Sequence, residues 1–338
     1  MTKSPLFSVF LRPALMRGSL AAVVLAAGAH ADVVTTPTID TALLGAALNP
    51  IGVAITDVQI RNGADLQFGV YSNFSVAPIV MPDGVVMSSG STVDLSRLAE
   101  VHEAGYDPAS PPARVVNAMK SGATPEFLAY GIETGSINNF VTAEDVAVLE
   151  VTFDLKTSTN VKFDFVFGSV EYPFWTDSFT DAFLVFLDER VSTNQICFDA
   201  NDTAIQVGQS FANLVTTADN NTAFSSPHGM IVTLTTTTAV LDAGTHTLWF
   251  EVGDVNDMIL DSAVFITNLR AEAGTEGTGE THNQCDADLD GDDIIGAADI
   301  AALLSEWGAQ GGSADLNSDD IVNAADLAML LSTWGPCN

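Results

Sequence analysis

Residues 148–155 read VLEVTFDL and residues 161–167 read VKFDFVF. In the first run Leu149, Val151, Phe153 and Leu155 share one face; in the second Val161, Phe163, Phe165 and Phe167 do. A period of two marks a strand with one face in a core, whereas a helix would scatter these residues around its circumference. Outward from this pair, residues 182–187 (AFLVFL) are apolar on both faces and fit a central strand. Residues 230–236, 245–252 and 262–269 supply further strands, separated by Gly, Asp and Asn turn signals. Asp83-Gly84 opens the short run Val85-Val86-Met87, which ends at Ser88-Ser89-Gly90. Residues 113–121 and 125–130 read as short helices between Pro and Gly breaks, covering one end. The expected fold class is mainly β: a β-sandwich or jelly roll over residues 32–270.

The charge balance narrows the function. Across 338 residues there are 43 Asp+Glu against 11 Lys+Arg, a net charge of −32. Such a surface repels nucleic acid and anionic lipid and attracts divalent cations. Residues 1–31 read as an export signal. Lys3, Arg12 and Arg17 precede the apolar run from Leu20 to Ala29, and Ala29-His30-Ala31 offers a cleavage site. Cleavage there leaves 8 basic residues and a net charge of about −35. No later stretch reads as a membrane span, so a secreted or cell-surface protein is expected, its acidity also serving solubility.

Residues 271–284 (AEAGTEGTGETHNQ) read as a flexible acidic linker. Beyond it, residues 285–338 contain two segments that match at an offset of 27 residues, beginning at Asp288 and Asp315. The first places Asp288, Asp290, Asp292 and Asp299 at loop positions 1, 3, 5 and 12; the second places Asp315, Asn317, Asp319 and Asp326 there. Ile294 and Ile321, at position 7, offer backbone carbonyls. Side-chain oxygens at this spacing wrap a calcium ion, a hard cation that accepts several oxygen ligands. The apolar position 8 residues, Ile295 and Val322, fit a small β contact between paired loops. Each loop leads into an amphipathic run: Ile300, Leu303, Leu304 and Trp307, then Leu327, Leu330, Leu331 and Trp334. These runs predict two helices packed on one another, the tryptophans in their core, with Gly308 and Gly335 as C-caps. Cys285 and Cys337 bracket the module. Their pairing would close a loop of about 52 residues, worth ~4 kcal/mol, and leave Cys197 free; three free thiols is the alternative.

This repeat resembles the type I dockerin family: two loop–helix units, each with Asp rather than Glu at position 12. Asp293 and Asp320 stand at position 6, where the family has Gly. The resemblance implies Ca2+ as the bound ion and a cohesin-like or other extracellular protein as partner, with Ala297-Ala298 and Ala324-Ala325 at the recognition positions. Those alanines also fit simple helix starts.

The segments FDFVFGSVEYPFWTDSFTDAFLVFLD (163–188) and EVGDVNDMILDSAVFITNL (251–269), with DVAVLEVTFDL (145–155) and PDGVVMSSG (82–90), resemble the choice-of-anchor L family. Val170 departs from it, replacing a second acidic residue before Glu171. The family's lack of an established activity implies a non-catalytic surface or matrix protein whose C-terminal module mediates attachment. Glu171, Asp181, Asp254, Asp257 and Asp261 fall at strand ends or turns. If the two segments meet, Asp181, Asp254 and Asp257 are the expected ligands of a second metal site; the alternative is that they cap backbone amides. A different class of function is a carbohydrate-binding or glycoside-hydrolysing component of a polysaccharide-degrading assembly, with Glu171 and Asp181 as acid and base. No histidine cluster or G-x-S-x-G motif accompanies that pair.

Overall fold

The computed structural model describes residues 32–338 except 77–78, 97–121, 126, 129–141, 174–180, 200–202, 208–213, 218–219, 226–227, 256–259, 281–286, 288, 290–293, 311–313, 315, 317–320, 333 and 337–338. The expected signal segment, the helix at 113–121, Cys285 and Cys337 lie outside the described residues.

In chain order the strands are β1 (Val34–Pro37), β2 (Ala54–Asn62), β3 (Phe68–Ser72), β4 (Ser75–Val76), β5 (Ile79–Val80), β6 (Gly84–Ser88), β7 (Ala143–Leu155), β8 (Val161–Ser169) and β9 (Ala182–Leu187). There follow β10 (Ile205–Gln206), β11 (Val215–Thr216), β12 (Gly229–Thr237), β13 (Gly244–Val255), β14 (Ser262–Ala271), β15 (Gly277–Glu280), β16 (Ile294–Ile295) and β17 (Gly335–Pro336). The helices are α1 (Thr41–Ala47), α2 (Ala297–Ser305) and α3 (Ala324–Ser332).

Two sheets form the body. One runs β1-β3-β6-β14-β8-β12-β11, with β15 also on β12; the other runs β10-β9-β13-β7-β2. All the predicted strands are present. Their inward residues interdigitate in one core: Phe163, Phe165 and Phe167 from β8, Leu149, Val151 and Phe153 from β7, and Leu248, Phe250 and Val252 from β13. Phe163 meets Phe250 edge-on at 5.1 Å, the arrangement that aromatic quadrupoles favour. The outer faces are covered as well. Val166, Val170, Phe224 and Phe265 pack outside the larger sheet, and Phe127, Val148, Leu184 and Phe186 outside the smaller one. That double cover explains why residues 182–187 are apolar throughout. α1 caps one edge; Asp40 accepts from the amides of Ala42 and Leu43 at 3.0 and 3.2 Å, the usual repair of a helix start.

The segment expected to be a flexible linker contributes structure instead. Ala271 ends β14, Glu272 accepts from Lys162 at 2.7 Å, and Gly277–Glu280 pairs antiparallel with Leu234–Thr237. Backbone hydrogen bonding to an open sheet edge needs no apolar side chains, so composition alone could not reveal this strand.

The C-terminal repeat has its own small cluster of Ala287, Ile295, Leu303, Ala314, Val322 and Leu330. Its two position 8 residues do not pair with each other. Ile295 pairs with Gly335, while Val322 exchanges backbone bonds with Gly308 and Ala309, at 2.8 and 3.1 Å. Each loop thus binds the segment that follows the other unit's helix. Gly308 and Gly335 have φ of +81° and +138°. The helix expected to stop at Gly308 closes earlier, with Glu306 as its C-cap. The tryptophans are not core residues: Trp307 and Trp334 are 48% and 52% exposed, and Leu304 and Leu331 are 51% exposed each. Nine-residue helices have room to bury one apolar row, and Leu303 and Leu330 occupy it.

Candidate functional site

The two acidic segments do meet. β13 pairs with β9 as far as Gly253 opposite Ala182, and Asp254 and Asp181 follow on from that pair, where the Val255 amide donates to Asp181 at 3.3 Å. β14 pairs with β6 and β8, matching Ala263 with Ser88 and Ser262 with Ser169. Beyond these pairs the Asp261 carboxyl lies against Gly90, and the Asp261 carbonyl accepts from the Val170 amide at 3.3 Å. Glu171 follows Val170 at the end of β8. Val170 packs in the outer apolar cluster, and strand alternation turns Glu171 to the other side.

Glu171, Asp181 and Asp254 are completely buried, and Asp261 is 2% exposed. Asp181 receives hydrogen bonds from the Ser262 hydroxyl at 2.7 Å and the Val255 amide at 3.3 Å. Ser262 belongs to one sheet and Asp181 to the other, so this bond ties the two layers at one end of the sandwich. The Ser262 amide donates to Ser89 Oγ at 3.0 Å, and the Ser89 amide to the Ser262 carbonyl at 2.9 Å. Gln67 braces the back of the site: its Nε2 donates to the carbonyls of Ser88, Ser89 and Asp145 at 3.1, 2.9 and 2.6 Å. Gly90 is required by close approach. A Cβ there would fall within the Asp261 carboxyl group.

Both carboxyl oxygens of Asp254 are buried without a hydrogen-bond partner of normal geometry among the described residues. Burial pushes its carboxyl well above the usual carboxylate range, and the charges of Asp181, Asp261 and Glu171 push it further; only the Ser89 hydroxyl works the other way. Glu251, on the opposite face of β13, is also buried but has Arg190 at 2.6 Å. Among the described residues, no basic group acts on Asp254.

Of the residues expected to form a second metal site, Asp181 and Asp254 are brought together, while Asp257 lies outside the described residues. Asp261 and Glu171 take places beside them, and Ser89, Gly90, Ser262 and Gln67 support the group. Only the short SSG and DS signals at 88–90 and 261–262 hinted at these partners. Among the described residues, no three His, Cys, Asp or Glu side chains already form a metal cage. Glu171 and Asp181 reach no solvent, so neither meets a polysaccharide in this conformation. Cys197 is a free thiol in the core; burial pushes its pKa up to about 12, against hydrogen bonds with Thr236 and Thr278.

In the C-terminal repeat, Asp288, Asp290, Asp292, Asp315, Asn317 and Asp319 lie outside the described residues. Ile294 and Ile321 are exposed, at 51% and 47%. Asp299 and Asp326 are both completely buried. Asp299 accepts from the Gly296 amide at 2.6 Å and the Leu289 amide at 2.8 Å, and Asp326 accepts from the Asn323 amide at 2.7 Å. The position 12 carboxylate therefore closes each loop from the third residue of its helix onto position 9.

No helix among the described residues is long and apolar enough to cross a membrane. No curated protein and no solved structure matches the chain. A family model, the choice-of-anchor L domain, matches residues 33–269, which span β1 to most of β14 and include all four clustered acids. The chain belongs to the choice-of-anchor L family.

Proposed function

We propose that this is a secreted, surface-associated, non-catalytic protein whose β-sandwich is displayed outside the cell and whose C-terminal repeat attaches it to another extracellular protein when calcium is bound. Surface association is what the family's description points to. The attachment reading rests on the twinned C-terminal units. Two loops with oxygen ligands at positions 1, 3, 5 and 12 recur at an offset of 27 residues. The position 12 carboxylates have the same buried setting in both. The same offset relates Leu304 with Trp307 to Leu331 with Trp334, which gives two equivalent half-exposed apolar patches. Apolar side chains left outside so small a core are what a docking partner would cover. The partner class is a cohesin-like domain, as the likeness to dockerins implies.

The test uses the full chain against a set of purified cohesin domains, in calcium and in chelator. Binding in calcium that is lost in chelator, and lost again in Trp307→Ser/Trp334→Ser, is the expected result. A titration in which Asp288→Ala/Asp315→Ala leaves calcium uptake unchanged would overturn the calcium role. Binding that ignores both chelator and the tryptophans would overturn the docking role.

A further inference from the structure

We propose a divalent-cation site, selective for calcium, inside the β-sandwich, formed by Asp181, Asp254, Asp261 and Glu171. It is separate from the C-terminal loops and does not depend on them.

Four carboxyl groups reach one end of the sandwich from both sheets: Asp254 from β13, Asp181 from the start of β9, Asp261 from the start of β14 and Glu171 from the end of β8. Asp181 and Asp254 adjoin the Ala182–Gly253 pair that ends the contact between their neighbouring strands, a closeness that is unfavourable for like charges with nothing between them. A buried acid is ordinarily paired or hydrogen-bonded, because desolvation of a lone carboxylate is costly. Asp254 is completely buried, and among the described residues both its oxygens lack a hydrogen-bond partner of normal geometry. The charges of the other three acids all act on it. The surroundings are built to hold those acids rather than to neutralise them. Ser262 fixes one oxygen of Asp181, and Gly90 leaves the space that the Asp261 carboxyl fills.

The donors are all carboxyl oxygens, which suits a hard cation; no thiol or imidazole is among them. Magnesium keeps several waters and strict octahedral geometry, whereas calcium accepts more oxygens in looser arrangements. Like charges hold themselves apart, so these groups form no closed cage on their own. A cation would have to draw them inward by side-chain rotation. Bound there, it would bridge the two sheets beside the Asp181–Ser262 bond, so its main effect would be on sandwich stability.

The test uses the full chain with both C-terminal loops disabled by Asp288→Ala/Asp315→Ala. Two readouts are combined: bound calcium by equilibrium dialysis, and the temperature at which Cys197 becomes open to a thiol reagent, located by peptide mapping. Cys197 lies in the sandwich core, so its exposure reports that layer alone. The expected result is about one calcium per chain, and a midpoint several degrees higher in excess calcium than in chelator. Adding Asp254→Asn should abolish both effects, with a chelator midpoint at or above that of its parent, since a neutral isostere removes one repelling charge. Glu171→Gln serves the same purpose if Asp254→Asn does not fold. The proposal is overturned if the loop-disabled chain binds no calcium up to millimolar concentration, or if the amide variants respond as their parent does. Calcium uptake that vanishes with the loops alone would overturn it while supporting the C-terminal reading.

Discussion

Ser262 Oγ donates to Asp181 Oδ2 at 2.7 Å, joining the two sheets through one fully buried hydrogen bond. Removing the hydroxyl leaves a buried carboxylate oxygen without its donor. Ser262→Ala should therefore destabilise the sandwich by about 1–3 kcal/mol. A urea unfolding curve with an unchanged slope and a lower midpoint checks this; a shift below about 0.5 kcal/mol would show that the bond contributes little.

Gly90 and Asp261 compete for the same volume. Gly90→Ala should cost about 1–3 kcal/mol through overpacking. Asp261→Ala removes the group that the new methyl would strike. The double variant should then be more stable than the sum of the two single effects by at least about 0.5 kcal/mol. Additive values in a double-mutant cycle would mean that the clash lies elsewhere.

Cys197 offers a chemical readout of the core. Its thiol is buried, and burial pushes its pKa up to about 12. The reactive species is the thiolate, so at pH 8 the native chain should leave Cys197 unlabelled by iodoacetamide over hours. In denaturant it should label like an ordinary thiol. Rapid labelling of the native chain, mapped to the Cys197 peptide, would contradict the packing around it.

On the outer face of the larger sheet, Arg270 donates to Asp164 at 3.0 Å and to Glu272 at 2.8 Å, and Lys162 donates to Glu272 at 2.7 Å. Burial opposes the Glu272 charge, yet hydrogen bonds from Lys162 and Arg270 outweigh it and hold its carboxyl below the ordinary 4.5. A lowered folded-state value means stability that is present above the unfolded pKa and lost as pH falls through the folded one. Glu272→Gln should therefore lower stability at pH 6 and converge with the parent below the folded pKa. Glu272 is 43% exposed, so screening limits the difference to less than about 1 kcal/mol. Stability measured from pH 6 downward checks both sign and size.

Much of the fold was legible in the chain because it rests on local periodicity. Leu149 to Leu155 alternate in burial along β7, and Val161, Phe163, Phe165 and Phe167 of β8 share the inner core while Val166 packs on the outer face. The acids of the candidate site were legible as residues but not as neighbours. Asp181 and Asp254 are 73 residues apart, and only the pairing of β9 with β13 brings them near each other. Asp261 joins them through β14, and Gly90 is matched to it from across β6. Long-range register leaves no local trace, because a strand's side-chain pattern fixes which face is buried and not which strand lies beside it.

The sequence by itself determined seven of the strands (β6, β7, β8, β9, β12, β13 and β14), the acidic character, the duplicated C-terminal loops and the likeness to the family whose model spans residues 33–269. Each is carried by period, composition or spacing along the chain. Only the tertiary structure decided that Gly277–Glu280 is an edge strand, that Ile295 and Val322 pair with the opposite unit's end, and that Trp307 and Trp334 face outward. It also decided that four carboxyl groups share one buried end of the sandwich. These outcomes depend on which surfaces remain uncovered once the sheets have packed, a property of the assembled chain that no local segment encodes.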